Sequence, residues 1–199
     1  GIEDFQFKIQ KNSNSTTTPQ LLIMISIGAE LAFMQFGTGG PSVKLNKLVG
    51  AFEIAIDLPF SWAGISSTGR FSFSVEGLSV IIPDVLEVTG TSINISYNPQ
   101  GSEDQEIVSV QNLSIEILPL KLKGALEPFQ GKPGLVIRKN GFWLGSASLQ
   151  YTGEISLSSI LTVKGIKAGV AGVEVTYGTS FTFNGEVFIA ADSAVLFAG

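Results

Sequence analysis

The stretch from Phe71 to Gly90 constrains the fold more than any other. Phe71, Phe73 and Val75 alternate with Ser72, Ser74 and Glu76. Gly77 follows, then the apolar run Leu78-Ser79-Val80-Ile81-Ile82, the spacer Pro83-Asp84, and a third run closed by Gly90. Alternation at a period of two makes one side of an extended chain apolar and the other polar, a pattern that does not fit a helix. The same pattern returns from Ala147 to Gly165 and from Ser180 to Gly199. Its glycine-to-glycine steps, counted from Gly77, Gly153 and Gly185, are 13, 12 and 14 residues. Such similar steps predict one repeating unit, with Gly77, Gly153 and Gly185 as equivalent turn residues of positive φ.

The rest of the chain obeys the same period. Phe5, Phe7 and Ile9 mark a half-buried strand, and Lys11 to Gln20 reads as a polar, exposed loop. Leu21 to Phe36 is nearly all apolar; strand is preferred to helix because Ile23, Ile25 and Ile27 are β-branched and Gly28 sits mid-run. Val43-Leu45 and Ala51–Leu58 read as two further strands, and Pro59–Gly69 as a loop holding Trp62. Asn140-Gly141 and Asn184-Gly185 carry the sequence signature of two-residue type I′ hairpin turns. Ala190 to Ala198 reads as a strand or a short helix. The expected fold is all-β, with antiparallel repeated hairpins forming a sandwich or an elongated meander. Asn98 to Glu106 is the clearest connector. It divides the chain into a β-rich half at 1–98, an acidic connector at 99–106 and a β-rich half with repeated hairpins at 107–199, as two halves or one continuous domain.

One apolar face per strand suffices to close a core against a second sheet. Leu21–Ile27 and Leu78–Ile82, apolar on both faces, would then be central strands under covering segments. The expectation is therefore a filled core with no through-running apolar channel. An open groove lined by Phe71, Phe73, Phe181 and Phe183 would be the contrary result.

Several functions are excluded by what the chain lacks. Neither histidine nor cysteine occurs, so Ser-His and Cys-His nucleophiles, thiolate metal sites and disulfides are absent. A net charge of −5 with scattered basic residues gives nucleic acid no footprint. Leu21–Phe36 is too short to span a bilayer as a helix. A transmembrane β-barrel would explain the strands, but three Tyr and two Trp make a poor interfacial girdle. Glu53, Glu76, Asp84, Glu116, Glu154 and Glu186 sit at turn edges or on polar strand faces, where solvated charge rather than glycoside chemistry is expected. Glu103-Asp104-Gln105-Glu106 lacks the spacing of a calcium loop. Trp62 and Phe142-Trp143 could stack on a sugar, but large aromatics in β proteins more often pack inward. Asn14, Asn94 and Asn112 begin N-glycosylation sequons that arise readily by chance in a chain this rich in Ser and Asn. No catalytic, cofactor-binding or metal-ligating residue is assigned, no cofactor is expected, and the chain is read as no enzyme.

The phrases Leu135-Val-Ile-Arg-Lys-Asn-Gly-Phe-Trp-Leu-Gly-Ser-Ala-Ser-Leu149 and Phe183-Asn-Gly-Glu-Val-Phe-Ile-Ala-Ala-Asp-Ser193 resemble β-repeat segments of very large bacterial secreted or surface proteins, cyanobacterial ones in particular. That resemblance implies a stacked structural or adhesive module, extracellular or at the cell surface. Its partners would be neighbouring modules of the same chain, or a surface protein or glycan. A weaker likeness, in the glycine-punctuated alternation, is to bacterial proteins with long β grooves for lipid. With the positive mean hydropathy, it implies the alternative: binding of lipid or another apolar ligand in a β groove.

Overall fold

Alternating β-branched and aromatic residues hold the backbone extended almost throughout. The computed structural model describes residues 4–11, 20–57, 69–177 and 182–196. These form β1 (Asp4–Lys11), β2 (Gln20–Gln35), β3 (Ser42–Asp57), β4 (Arg70–Ile82), β5 (Leu86–Tyr97) and β6 (Glu106–Ile117). A 3₁₀ turn at Leu118–Leu120 leads to β7 (Leu122–Glu127), β8 (Leu135–Arg138), β9 (Gly141–Ser158), β10 (Leu161–Thr176), β11 (Thr182–Ala190) and β12 (Ser193–Leu196). All join one antiparallel sheet in the order β1-β2-β3-β4-β5-β6-β7-β9-β10-β11. β7 and β8 share the slot between β6 and β9, each filling part of its length. β11 and β12 share the outer edge of β10 in the same way. Of the two architectures expected, the chain adopts the elongated all-β meander.

The turns lie elsewhere than the glycines suggest. Gly77, Gly153 and Gly185 fall inside β4, β9 and β11, and none has a positive φ. The chain reverses instead at Pro83-Asp84-Val85, where Asp84 takes φ 60° and the Val85 N–H donates to the Ile82 carbonyl (3.0 Å). Gly77 is small for a different reason: a Cβ there would lie 2.9 Å from Asn46 Nδ2 on the neighbouring strand. The β8–β9 hairpin exists, but Arg138 pairs with Gly141, so Lys139-Asn140 is the turn and neither has positive φ. Asn184 pairs with Glu174 in mid-sheet and makes no turn. The two-residue turn with positive φ at both positions is Gln130-Gly131 (51° and 78°), closed by reciprocal Phe129–Lys132 hydrogen bonds of 3.1 and 3.0 Å. The pair expected as separate strands, Val43-Leu45 and Ala51–Leu58, is one strand, β3; Ser193–Leu196 is strand rather than helix. The loop of Trp62, the sequon at Asn14 and Phe181 lie outside the described residues.

The sheet is bent along a crease that crosses the strand positions from β2 to β10; at the β10–β11 pair Gly172-Val173 instead bulges opposite Gly185 alone. In each neighbouring pair the ladder skips one position there: Ala29↔Leu48 then Leu31↔Asn46, Leu48↔Val75 then Asn46↔Gly77, Val75↔Ile93 then Gly77↔Thr91. The skip continues at Ile93↔Val110 then Thr91↔Asn112, and at Val173↔Leu144 then Ala171↔Ser146. Glu30, Lys47, Glu76, Ser92, Gln111, Gly145 and Gly172 occupy the skipped positions. Three of them take left-handed backbone: Lys47 (φ 45°), Ser92 (φ 48°) and Gly172 (φ 66°). Between β6 and β9 the crease passes through the gap separating β7 from β8. There the Gly134 N–H donates to Gln111 O (3.1 Å) and the Gly145 N–H to Gly134 O (2.8 Å).

Left-handed backbone at a serine is strained by a steric clash of Cβ that glycine lacks. Ser92→Val is expected to destabilise the protein by about 1–3 kcal/mol, since branching at Cβ worsens the clash. Ser92→Gly should stay within about 1 kcal/mol of wild type, because relief of strain offsets the added chain entropy. Urea unfolding followed by circular dichroism reads both. Equal costs for the two would mean that the kink is not set at Ser92.

Candidate functional site: the creased apolar face

The crease resets the side-chain alternation, and this keeps one face apolar on both sides of it. Toward the strand ends that carry Phe71 and Phe73, apolar side chains occupy Ala29, Leu48, Val75, Ile93, Val110, Leu135, Leu144 and Val173, each opposite the next across the sheet. Beyond the crease the apolar row is Ala32, Leu45, Leu78, Gly90, Leu113, Leu126, Ala147, Val170 and Val187. Within each strand the step across the crease is thus three residues rather than two. Strict alternation would put these rows on opposite faces. They share one: a Cβ on Gly90 would lie 3.1 Å from Ile93 Cδ1 across the kink and 3.4 Å from Leu113 Cδ1.

Burial shows which way the sheet bends. Val75 beside the crease is 3% exposed, whereas Phe73 and Phe71, two and four residues away, reach 38% and 42%. On the other side Ile115 is 41% and Leu149 58% exposed. Ala29, Val110 and Val173 are also buried at the crease. The inside of the bend, where one sheet folds toward its own apolar face, is therefore one part of the core; Val136, Trp143 and Ala171 are buried on the opposite face. The expected two-layer filled core is not what forms. Among the described residues no second sheet covers this face, because all twelve strands are used in the first. The open face expected as the contrary result carries Phe71 and Phe73; the Phe183 side chain, like Phe181, lies outside what the structure describes. The longer apolar row runs across nine of the ten strand positions, a length of roughly 40 Å at about 4.8 Å per strand.

The opposite face is hydroxylic and charged. Lys47 stands in the crease between Glu30 and Glu76, and its Nζ donates to Glu76 Oε1 at 2.9 Å. That hydrogen bond and the Glu76 charge, with a smaller contribution from Glu30, hold the Lys47 ammonium above its usual pKa. A raised lysine pKa stabilises the fold fully below the ordinary lysine value, and the contribution is lost as pH rises through the folded value. Glu53 pairs with Arg70 and Glu154 with Lys164, while Glu106 and Glu174 share Arg138. Glu116 stands in the ladder between Glu87 and Lys123, Asp84 lies in its turn, and Glu186 is exposed on β11.

The remaining sequence candidates are placed as structural parts. Of the expected connector, residues 99–105 lie in the β5–β6 loop and Glu106 begins β6. The two strands pair from Leu86↔Ile117 to Ile95↔Val108, so the sheet runs past the connector unbroken. Asp104 accepts a hydrogen bond from Asn140 Nδ2 (2.7 Å), and the Lys139 ammonium donates to Gly101 O (2.8 Å). Among the described residues no group of three or more acidic side chains is placed to hold a metal ion. Phe142 and Trp143 point to opposite faces. Trp143 is 4% exposed on the hydroxylic side under the 128–134 segment, with its Nε1–H donating to Pro133 O at 2.9 Å. It cannot serve as a sugar platform. Asn112 donates to Thr91 Oγ1 (3.0 Å) and Asn94 to Ser92 O (3.4 Å), both on sheet strands. No protein-family profile, no curated protein and no solved structure matches this chain.

Proposed function

We propose that the creased face binds the hydrocarbon chain of a lipid without catalysing a reaction. One observation carries this reading: apolar rows run without a charged residue from β2 to β10 along the inside of the bend, and much of that surface stays exposed. A soluble monomer rarely leaves so long an apolar surface without a ligand or partner. The bend selects the occupant. A flat sheet laid on a concave face would touch its margins and miss the floor beside Val75 and Val110, whereas a slender aliphatic chain can lie along the crease. Purification without detergent followed by native mass spectrometry is expected to find lipid bound in stoichiometric amount. Protein that emerges lipid-free, and that then takes up no added fatty acid, would overturn the reading.

A second reading, a structural or adhesive bacterial surface module, has its own support. The outer edges of β1 and β11 pair with no described strand, and unpaired edges accept neighbouring strands. Neighbouring modules of the same chain, or a surface protein, would then extend the sheet edge to edge. A glycan would instead meet the hydroxylic face. Concentration-dependent assembly of lipid-free protein would favour this reading.

A further inference from the structure

The apolar face is not uniform in depth. A third row crosses it beyond the crease, and Ile115, Gly124, Leu149, Ala168 and Ile189 stand side by side in it. Large and small residues alternate strand by strand. Ile115 on β6 and Leu149 on β9 stand up as exposed walls, and Gly124 on β7 between them leaves no side chain at all. The result is a depression of about 460 Å³ bounded by Leu113, Ile115, Leu126, Ala147, Leu149 and Ala168. Its lining contains no charged side chain, and the only side-chain polar group belongs to Ser148. The glycine here is not forced by crowding or by backbone shape. A Cβ on Gly124 would approach nothing closer than 3.9 Å, and its φ is not positive. The notch is space that a larger residue could fill and does not.

Resting on the lipid reading above, we propose that this notch is a subsite for one unbranched acyl chain, with Gly124 as the residue that sets its depth. The chain leaves the crease beside Leu126, passes over Gly124 between the Ile115 and Leu149 walls, and is recognised by its methylenes alone. The lining offers no charge to pair with a carboxylate or phosphate and only the one hydroxyl of Ser148, so the headgroup lies outside the notch. A size of a few hundred Å³ matches small-ligand sites in general. The alternation of wall and floor favours a slender occupant: the Ile115 and Leu149 side chains stand on strands only two spacings, about 10 Å, apart and narrow the gap over β7.

Equilibrium binding of palmitate and laurate to the delipidated protein tests this, alongside Gly124→Ala, Gly124→Leu and Leu149→Ser. A leucine in the notch should displace at least two methylenes of the ligand and weaken palmitate binding by roughly tenfold or more. Gly124→Ala should bind within about fourfold of wild type, since one methyl displaces at most about one methylene of the ligand. Leu149→Ser removes an exposed wall at little cost to folding and should weaken palmitate by a similar order to Gly124→Leu; it decides the matter if the leucine variant does not fold. Wild type that binds palmitate while Gly124→Leu or Leu149→Ser binds it equally well overturns the notch and leaves the lipid reading standing. Wild type that binds neither acid overturns both.

Discussion

Trp143→Ala is expected to cost about 3–5 kcal/mol of folding stability, the range for truncating a large buried aromatic. Trp143 is the largest side chain of the buried set, on the hydroxylic face, and it packs beside Val136, which is 1% exposed. It also fixes the segment that closes the gap between β7 and β8. Its Nε1–H donates to Pro133 O, and the Lys132 ammonium lies 4.1 Å from its ring centre. Phe129 from the same segment comes within 3.0 Å of where a Cβ on Gly172 would stand. Truncation therefore empties a cavity and frees the 128–134 segment together. A domain of ordinary stability has only about 5–15 kcal/mol in total, so the variant should show a large drop in urea midpoint. Trp143→Phe separates the terms: it keeps most of the packing, strands the Pro133 carbonyl and should cost about 1–3 kcal/mol. A loss below about 1 kcal/mol for the alanine variant would show that the segment is held by something else.

Period-two alternation was enough to read strands, antiparallel meander and apolar face from the chain. Phe5-Phe7-Ile9 and Phe71–Val75 fold as strands as expected, because alternation specifies which side each residue takes without reference to distant contacts. Leu21–Gln35 does so through its β-branched residues. Phe5, Phe7 and Ile9, expected half-buried, are instead exposed. What misled was the break in phase. In Phe71-x-Phe73-x-Val75-x-x-Leu78-x-Val80 the apolar step lengthens from two to three at Glu76-Gly77. A turn explains such a step, and glycine makes a turn attractive; a kink that every neighbouring strand shares explains it equally well. Only the register distinguishes them, since the same three-residue step recurs opposite at Ile93 to Gly90 and at Val110 to Leu113. The left-handed residues on β3 and β5 are Lys47 and Ser92, neither of the Gly, Asn or Asp types that favour that backbone. The Asn140-Gly141 signal failed for a related reason. Gly141 answers to β10, whose Val175 carbonyl would lie 2.0 Å from a Cβ there, while Asn140 is spent on Asp104.

A second layer is expected from the sequence and does not form among the described residues, because alternation tells which face of a strand is apolar and not what covers it. In a sandwich, Phe71 and Phe73 would meet a facing sheet. Here all twelve strands of the described residues join one sheet, and on the apolar face burial is deepest beside the bend. On that face, candidate site and core are the same surface at different distances from the crease, while Val136, Trp143 and Ala171 form a separate core on the other face. Leu113 and Leu126 belong to both: they stand in the first apolar row beyond the crease and also bound the notch over Gly124.

Gly145→Ala should destabilise the protein by about 3 kcal/mol or more, at the upper end of overpacking penalties, although it adds one methyl group. Its Cβ would stand 2.6 Å from Glu127 O, 2.7 Å from Pro133 O and 3.1 Å from Gly134 Cα. All three are backbone atoms, from the two ends of the 128–134 segment, so no side-chain rotation can relieve the contact. Either β9 moves away or the ends of the segment part, and the second breaks the relay from Gly145 N–H to Gly134 O and from Gly134 N–H to Gln111 O. That relay carries the crease across the gap between β7 and β8. Gly124→Ala makes the same chemical change four residues from Pro128 on β7, where the nearest atom is 3.9 Å away; it should lie within about 1 kcal/mol of wild type, as an unstrained Gly→Ala does. The contrast excludes helix or sheet propensity as the cause, since both glycines sit in strands. Urea midpoints for the two variants check it, with hydrogen exchange at Gly134 and Gly145 as the local readout. Similar midpoints for both would mean that β9 can shift freely at the crease, and the bend would then not be fixed by the packing of β9 against the 128–134 segment.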